Sequence, residues 1–273
     1  MPLFFIVSGY FYRPKPLVEQ LKVDFRRIFI PYLFIIIITK IFIDLQDIYV
    51  GHPVLHPDSP AWFSLALFLA RLLYALINIV SPQYKLFVTF ALSSISCAII
   101  NWNEIPRDIV IISSCFCAVF FLAIGDYVRH SNLLSYLDKN KALSIYISIL
   151  LWLNTSIFGE VDLHLCIFKL WVVDYAGACA GTYLCYEISR YFVNTTSLSA
   201  SLLSRLGYYS LVVYSFHAIE YVFPSWFQIC ALFNCNSLLS VLIIRFSLCC
   251  AISWAALKIP PLRQIFIPNI KNR

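Results

Sequence analysis

Two ionisable residues late in the chain have the types and the spacing that acid–base chemistry requires. His217 and Glu220 are three residues apart in an apolar stretch, so on a helix they share one face. Imidazole titrates near neutral pH, which makes His217 a candidate catalytic base, and the carboxylate of Glu220 is suited to orient or charge it. The alternative is a buried histidine whose hydrogen bonds serve packing.

Charged residues inside apolar runs are costly to bury, so each one is a candidate functional residue. Arg71 lies ten residues into its run; it is a candidate catalytic residue, or else the structural partner of an acid such as Asp174. Lys169 and Asp174 are five residues apart, a poor helical spacing for a direct pair, so each is expected to find its partner on another helix. Lys40 and Glu187 lie near the ends of their runs and are expected to snorkel.

Two neighbouring arginines, Arg26 and Arg27, stand at the mouth of an apolar run. Guanidinium groups bind phosphate through paired N–H donors, so these residues could capture a phosphorylated ligand. The alternative is that they anchor the chain to anionic lipid.

The small residues of the chain indicate helix packing. No Gly-x-Ser-x-Gly motif surrounds Ser8, so Ser8-Gly9 favours a close helix crossing over a nucleophile. Gly177 and Gly181 form a small-xxx-small step of the kind found at helix crossings.

No metal site is predicted. His52, His56 and Asp58 fall in one loop, but their spacing is poor for a shared ion. The ten cysteines lie mainly in apolar runs and form neither a zinc pattern nor a disulfide framework, so we interpret them as small packing residues.

The composition is that of a membrane protein. Hydrophobic residues make up 61% of the chain, charged residues 12%, and the mean hydropathy is +0.80. A soluble domain of this composition could not solvate its surface. We therefore predict an all-α, polytopic membrane helix bundle that forms a single domain over residues 1–273.

The apolar runs give the number of segments. Eight runs of adequate length lie at about 28–44, 61–80, 85–101, 109–128, 142–158, 166–187, 208–224 and 237–257. Residues 2–12 form a further apolar fragment, about half the roughly twenty residues that a hydrocarbon core requires. The prediction is about nine transmembrane segments, of which the first is incomplete.

The loop charges give the orientation. Alternate loops, beginning with the linker 13–27 and ending with the tail 258–273, hold 15 of the 20 basic residues, whereas the opposite loops hold only Arg107. The positive-inside rule therefore places the basic linker and the basic tail in the cytoplasm. The net charge of +6 is explained by these loops and does not indicate a nucleic-acid partner.

That orientation places Met1 on the external side. The simplest explanation of an external Met1 is a further helix upstream that begins in the cytoplasm. The alternative is a short re-entrant or interfacial opening segment.

Five stretches, in chain order, resemble one family. They are MPLFFIVSGYF at 1–11, FRRIFIPY at 25–32, AWFSLALF at 61–68, FLAIGDYVR at 121–129 and GYYSLVVYSFH at 207–217. Together they resemble the acyltransferase-3 superfamily of integral membrane O-acyltransferases, and within it the fucose 4-O-acetylase-like proteins.

The resemblance implies a bacterial inner-membrane enzyme without a bound cofactor. It would move an acyl group, usually acetyl, from acetyl-CoA to a hydroxyl of a cell-surface or exopolysaccharide sugar, which is either free or lipid-linked. The implied roles are donor binding by Arg26 and Arg27, catalysis by His217, Glu220 and Arg71, and lining of the substrate pocket by Ser8 and Trp62. Trp62 is alternatively an aromatic residue of the membrane interface.

The family's first helix, with its basic residue and catalytic histidine, has no counterpart in this chain. Two alternatives therefore stand beside the enzyme. One is a non-catalytic truncated remnant. The other is a glycan or lipid transporter or flippase, which the lack of an internal repeat disfavours.

Overall fold

A computed structural model describes residues 1–50, 62–102, 107–195, 197–220 and 238–267. These residues are almost all helical, which confirms the all-α class. The helices are α1 (Pro2–Tyr10), α2 (Leu17–Asp24), a π-helical turn (Phe25–Phe29), α3 (Ile30–Val50), α4 (Trp62–Val80), α5 (Lys85–Trp102), α6 (Arg107–His130), α7 (Leu133–Lys139), α8 (Lys141–Phe158), α9 (Val172–Thr195), α10 (Ser197–Tyr208), α11 (Ser210–Glu220), α12 (Leu238–Lys258) and α13 (Pro260–Phe266). Two short strands, β1 (Val161–Asp162) and β2 (Ile167–Phe168), pair antiparallel between α8 and α9.

Each predicted apolar run coincides with a helix in the described part of the chain, with one late start. Residues 161–168 form the hairpin, so α9 begins at Val172 rather than near residue 166. Four described helices are long and apolar enough to cross a membrane, namely α4, the Ile112–His130 part of α6, α8, and the Leu239–Lys258 part of α12. The structure thus supports a membrane helix protein, and the count of nine segments stays a prediction.

The chain forms two compact units. The first unit contains Met1–Lys22 and Ala66–Leu203, and the second contains Val23–Leu65 and Ser204–Arg273.

The first unit is organised by a close crossing of α1 and α6. A Cβ added at Gly9 would overlap the carbonyl oxygen of Leu122, and one added at Gly125 would overlap the carbonyl oxygen of Ile6. Each helix therefore presents a glycine to the backbone of the other, as small residues do at close membrane helix crossings. The packing role predicted for Gly9 is confirmed.

A second close contact joins α8 and α9. A Cβ at Gly177 would overlap the hydroxyl of Thr155, and one at Gly181 would come within 2.9 Å of the Trp152 indole. The packing role predicted for this small-xxx-small step is confirmed.

The hairpin covers an aromatic cluster between α5, α6 and α9. The rings of Phe168 and Tyr175 stack with centroids 4.2 Å apart, and Phe121 lies 5.6 Å from Tyr175. The hairpin is held by the Ser114 hydroxyl, which donates to the carbonyl of His164 at 2.8 Å. Buried cysteines, among them Cys97 and Cys117, fill space around this cluster as predicted.

The second unit packs α3 against α11 and α13. Ile35 is fully buried against Tyr32, Ile38 and Phe216, and the ring of Phe266 lies 5.9 Å from that of Phe216. Aliphatic and aromatic side chains make this contact.

We expect Gly9→Ala to destabilise the protein by about 3 kcal/mol or more, because the new methyl group meets backbone rather than a mobile side chain. The matched control is Gly207→Ala. A Cβ at Gly207 meets nothing within 4 Å, and alanine suits a helix better than glycine by about 0.5–1 kcal/mol. Unfolding in SDS–detergent mixtures measures both changes, and equal stabilities for the two variants would contradict the crossing.

Candidate functional site

Two of the predicted site residues, Arg71 and Ser8, contact each other in the first unit. The guanidinium Nη1 of Arg71, on α4, donates to the Ser8 hydroxyl on α1 at 3.1 Å. The same guanidinium lies over the ring of Tyr12, 5.3 Å from its centroid. Arg71 is half-buried, so the hydroxyl and the ring hold a cation where water is scarce.

The end of α1 is fixed at the same place. The guanidinium of Arg129, on α6, donates to the backbone carbonyl of Tyr12 at 2.7 Å. The side chain of Tyr12 is buried, and its ring meets that of Tyr74 edge-on at 5.2 Å. Arg71 and Tyr74 are three residues apart, so one face of α4 carries both of them.

A second group of polar residues surrounds the buried carboxylate of Asp126, which is 3% exposed. Tyr74 donates its hydroxyl to Oδ2 at 2.6 Å, and the Lys85 ammonium contacts the same oxygen at 2.5 Å. His130 Nδ1 lies 3.4 Å from Oδ1. These contacts satisfy a charge that would otherwise be expensive to bury.

The imidazole of His130 is positioned at the end of α6. Its Nδ1 lies 2.9 Å from the backbone carbonyl of Asp126, one helical turn earlier. When Nδ1 donates there, Nε2 carries the lone pair. His130 is exposed, so the chain of contacts from Tyr74 through Asp126 ends at a group that reaches outside the bundle.

We call Ser8, Arg71, Tyr12, Tyr74, Asp126 and Lys85 the polar network. Sequence reasoning found only Ser8 and Arg71 among its members. Asp126 lies within the predicted run 109–128, so the rule that charges inside apolar runs are candidates would have found it. The tyrosines carry no such signal, because tyrosine is common in membrane helices for packing.

The remaining candidate residues lie in the second unit. Arg26 and Arg27 occupy the π-helical turn and are exposed, and a π-helical segment is frequently found at a functional site. Trp62 begins α4 with its ring half-buried. His217, on α11, is exposed. The Glu220 side chain, like residues 51–61 with His52, His56 and Asp58, lies outside the described part.

The structure corrects the predicted snorkelling of Glu187. This carboxylate is 7% exposed and pairs with Lys141 at 2.6 Å and with Arg190 at 3.0 Å. Arg190 also contacts Asp138 at 2.6 Å. The hydrogen bond to Asp138 and the charge of Glu187 raise the pKa of Arg190, so this guanidinium stays charged.

Among the residues that the structure describes, Lys169 and Asp174 do not show the interhelical partners expected for them. Lys169 follows β2 directly and is exposed. Asp174 lies in the first turn of α9, where its Oδ2 accepts the backbone N–H of Leu170 at 2.7 Å. A carboxylate at a helix N-terminus is also favoured by the helix dipole.

Comparison with known proteins gives one match. The acyltransferase-3 family model, described as an acyltransferase domain, matches residues 1–258. No curated protein and no solved structure matches the chain significantly.

We expect Asp126→Asn to destabilise the protein by about 3 kcal/mol, because the ammonium of Lys85 then loses its charged partner in a mostly buried site. The matched control is Lys15→Met. It breaks the exposed Lys15–Glu19 pair of 2.6 Å, and its cost should stay below about 1 kcal/mol. The same unfolding measurement compares the two, and a stability of Asp126→Asn equal to that of wild type would contradict the role of the carboxylate.

Proposed function

We propose, since the chain belongs to the acyltransferase-3 family, that it is a membrane O-acyltransferase that uses acetyl-CoA to acetylate a hydroxyl of a cell-surface or exopolysaccharide sugar. Within the family we place it beside the fucose 4-O-acetylase-like proteins. Its membrane helices and its acyltransferase class follow from the family and the composition. The donor and the acceptor are our proposal.

The observation that carries this proposal is the placement of Arg71. Its guanidinium is held between the Ser8 hydroxyl at 3.1 Å and the Tyr12 ring at 5.3 Å. A fixed cation in a half-buried position stabilises negative charge that develops on a reacting oxygen far better than a mobile cation in water. Acyl transfer develops such a charge on the thioester carbonyl.

The reaction assigns a role to each candidate residue. The sugar hydroxyl oxygen attacks the thioester carbonyl carbon, its proton passes to a base, the carbon–sulfur bond breaks, and the CoA thiolate leaves. Arg71 stabilises the carbonyl oxygen in this proposal, and His217, assisted by Glu220, accepts the proton. Ser8 positions Arg71, and the pocket-lining roles of Ser8 and of Trp62 stay predictions from the family resemblance.

Binding the phosphates of the acetyl-CoA donor requires cations on the cytoplasmic side. Arg26 and Arg27 are exposed on their π-helical turn, which suits capture of the CoA phosphates. By the loop charges, Lys85, Arg129 and His130 also belong to the cytoplasmic side. Lys85 and Arg129 are held in the first unit by Asp126 and by the end of α1.

The activity is tested with radiolabelled acetyl-CoA and membranes from cells that express the chain, alone and with its in-frame upstream sequence. The expected result is label in a glycan fraction, released by mild alkali as an ester would be. If neither form labels any glycan above membranes without the protein, the proposal fails.

We expect Arg71→Lys to lower the transfer rate by about 100-fold, because lysine keeps the charge but loses the planar fork that Ser8 and Tyr12 position. The control is Arg190→Lys, the same exchange in the surface ion-pair group, for which we expect a change of less than about threefold. Equal losses in the two variants would show that Arg71 has no special role.

We expect His217→Gln to lower the transfer rate by about 100-fold as well, because glutamine retains a polar side chain but cannot accept the proton. The pH profile separates catalysis from folding. Loss of the acid-side fall from the pH profile of the residual activity supports the base, because that fall comes from protonation of the group that accepts the proton, and an unchanged profile contradicts it.

A further inference from the structure

Three buried thiols, from three segments of the first unit, lie next to one another. Cys97 on α5 and Cys117 on α6 have their sulfur atoms 3.4 Å apart. The Cys117 thiol also makes a hydrogen-bond contact with Cys166, which directly precedes β2 in the hairpin. None of the three belongs to the polar network, and the proposed acyl transfer uses none of them.

The pair of Cys97 and Cys117 is within reach of a covalent bond. A disulfide holds its two sulfur atoms about 2.05 Å apart, so the sulfurs have to approach by about 1.4 Å from their present separation. The two residues lie on helices that pack against each other, and small rotations of the two side chains can supply this movement. The hydrogen bond that a thiol pair makes and the disulfide that it forms therefore use nearly the same arrangement.

Cys166 is the competing partner for Cys117, but its surroundings hold it back. Its sulfur contacts the carbonyl oxygen of Leu163 at 3.8 Å and the hydroxyl of Ser114 at 3.9 Å. Its backbone has a φ of 56°, in the left-handed region that residues other than glycine rarely adopt. The hairpin fixes this conformation, so Cys166 is less able to move toward Cys117 than Cys97, which lies on a regular helix.

Burial decides which oxidants can reach the pair. Cys117 is 0% exposed and Cys97 is 5% exposed, and Tyr175 covers them, with its hydroxyl 3.6 Å from the Cys97 sulfur. Exchange with glutathione or with a protein disulfide requires a second sulfur compound to reach the attacked sulfur, which the folded protein prevents. Hydrogen peroxide is small and uncharged, so it is the class of oxidant that this site admits.

We propose that Cys97 and Cys117 are a peroxide-sensitive thiol pair that closes to a disulfide between α5 and α6. The Cys97 sulfur, the more exposed of the two, attacks one peroxide oxygen; the O–O bond breaks, water leaves, and Cys97 becomes a sulfenic acid. The Cys117 sulfur then attacks the Cys97 sulfur, the S–O bond breaks, and a second water leaves. The two thiols give up two electrons and two protons, and one peroxide molecule becomes two water molecules.

The proposed bond ties the two helices together beneath the hairpin. It closes a loop between positions 20 residues apart, which restricts the unfolded chain, so the oxidised protein should resist unfolding more than the reduced protein. The loop charges predict that the hairpin side of the first unit faces away from the cytoplasm, toward compartments in which disulfides persist. This inference does not rest on the proposed function.

The test follows each cysteine through oxidation and reduction. Purified protein in lipid nanodiscs is treated with hydrogen peroxide, and thiols that remain free are blocked with N-ethylmaleimide in SDS. Disulfides are then reduced, the released thiols are labelled with deuterated N-ethylmaleimide, and peptides are analysed by mass spectrometry. The expected result is deuterated label on Cys97 and Cys117 in equal amounts at every peroxide dose, together with a cross-linked peptide pair in the unreduced sample.

Two variants separate the bond from general oxidation. Cys117→Ala should remove at least about nine tenths of the deuterated label at Cys97, because the sulfenic acid then has no partner thiol, and dimedone should trap that acid instead. The matched control is Cys115→Ala, an equally small change in a buried cysteine on the same helix, which should leave the label on Cys97 and Cys117 unchanged.

A stability measurement gives an independent readout. Peroxide should shift unfolding of the wild type and of Cys115→Ala to a higher SDS fraction, and should cause no shift in Cys97→Ala. Each variant is compared with its own reduced form, so a difference in folding between variants does not affect the result.

Four results would overturn the proposal. They are label of equal extent at Cys179, a bond from Cys117 to Cys166, a bond between two chains, and no reversible label at a peroxide dose that oxidises the exposed Cys185. The measurement uses no acyl donor, so the transfer assay stands or fails separately.

Discussion

The close crossing of α1 and α6 is the constraint on which the first unit depends. Gly9 contacts the backbone of Leu122, and Gly125 contacts the backbone of Ile6, so the two helix axes approach as nearly as backbones allow. In a membrane the hydrophobic effect does not drive helices together, and packing and hydrogen bonds must do so. The crossing therefore fixes the position of every side chain on the inner face of α1.

The polar network follows from that approach. Ser8 precedes Gly9, and Tyr12 lies three residues after it, so both side chains are placed when the crossing forms. Ser8 then receives the guanidinium of Arg71, and the Tyr12 carbonyl receives that of Arg129. Farther along, Asp126 follows Gly125 directly and is paired with Lys85 and Tyr74. One pair of glycines thus brings α1 to the charges of three other helices, α4, α5 and α6, which would be costly to hold in the membrane without partners.

The contact between α8 and α9 shows the same physical principle at a second place. Gly177 and Gly181 bring α9 against Thr155 and Trp152, and Gly159 lets the Asp174 carboxylate lie against the backbone at the end of α8. Small residues here have two effects, since they permit the helix contact and they leave space beside it.

The sequence by itself determined the class of the protein, the location of the helical runs and the family. Each follows from local properties: hydropathy over about twenty residues identifies a membrane helix, and an ordered set of short motifs identifies relatives. It also named Arg71 and Ser8, because a buried charge is costly wherever it lies.

Only the tertiary structure decided which partners these residues have. The pairing of Arg71 with Ser8 joins positions 63 residues apart, and the pairing of Lys85 with Asp126 joins positions 41 apart, distances over which no local pattern carries information. The snorkelling predicted for Glu187 was wrong for the same reason, since its partner Lys141 lies on another helix. The contact of the Asp174 carboxylate with Gly159 likewise became visible only when α9 was packed against the end of α8.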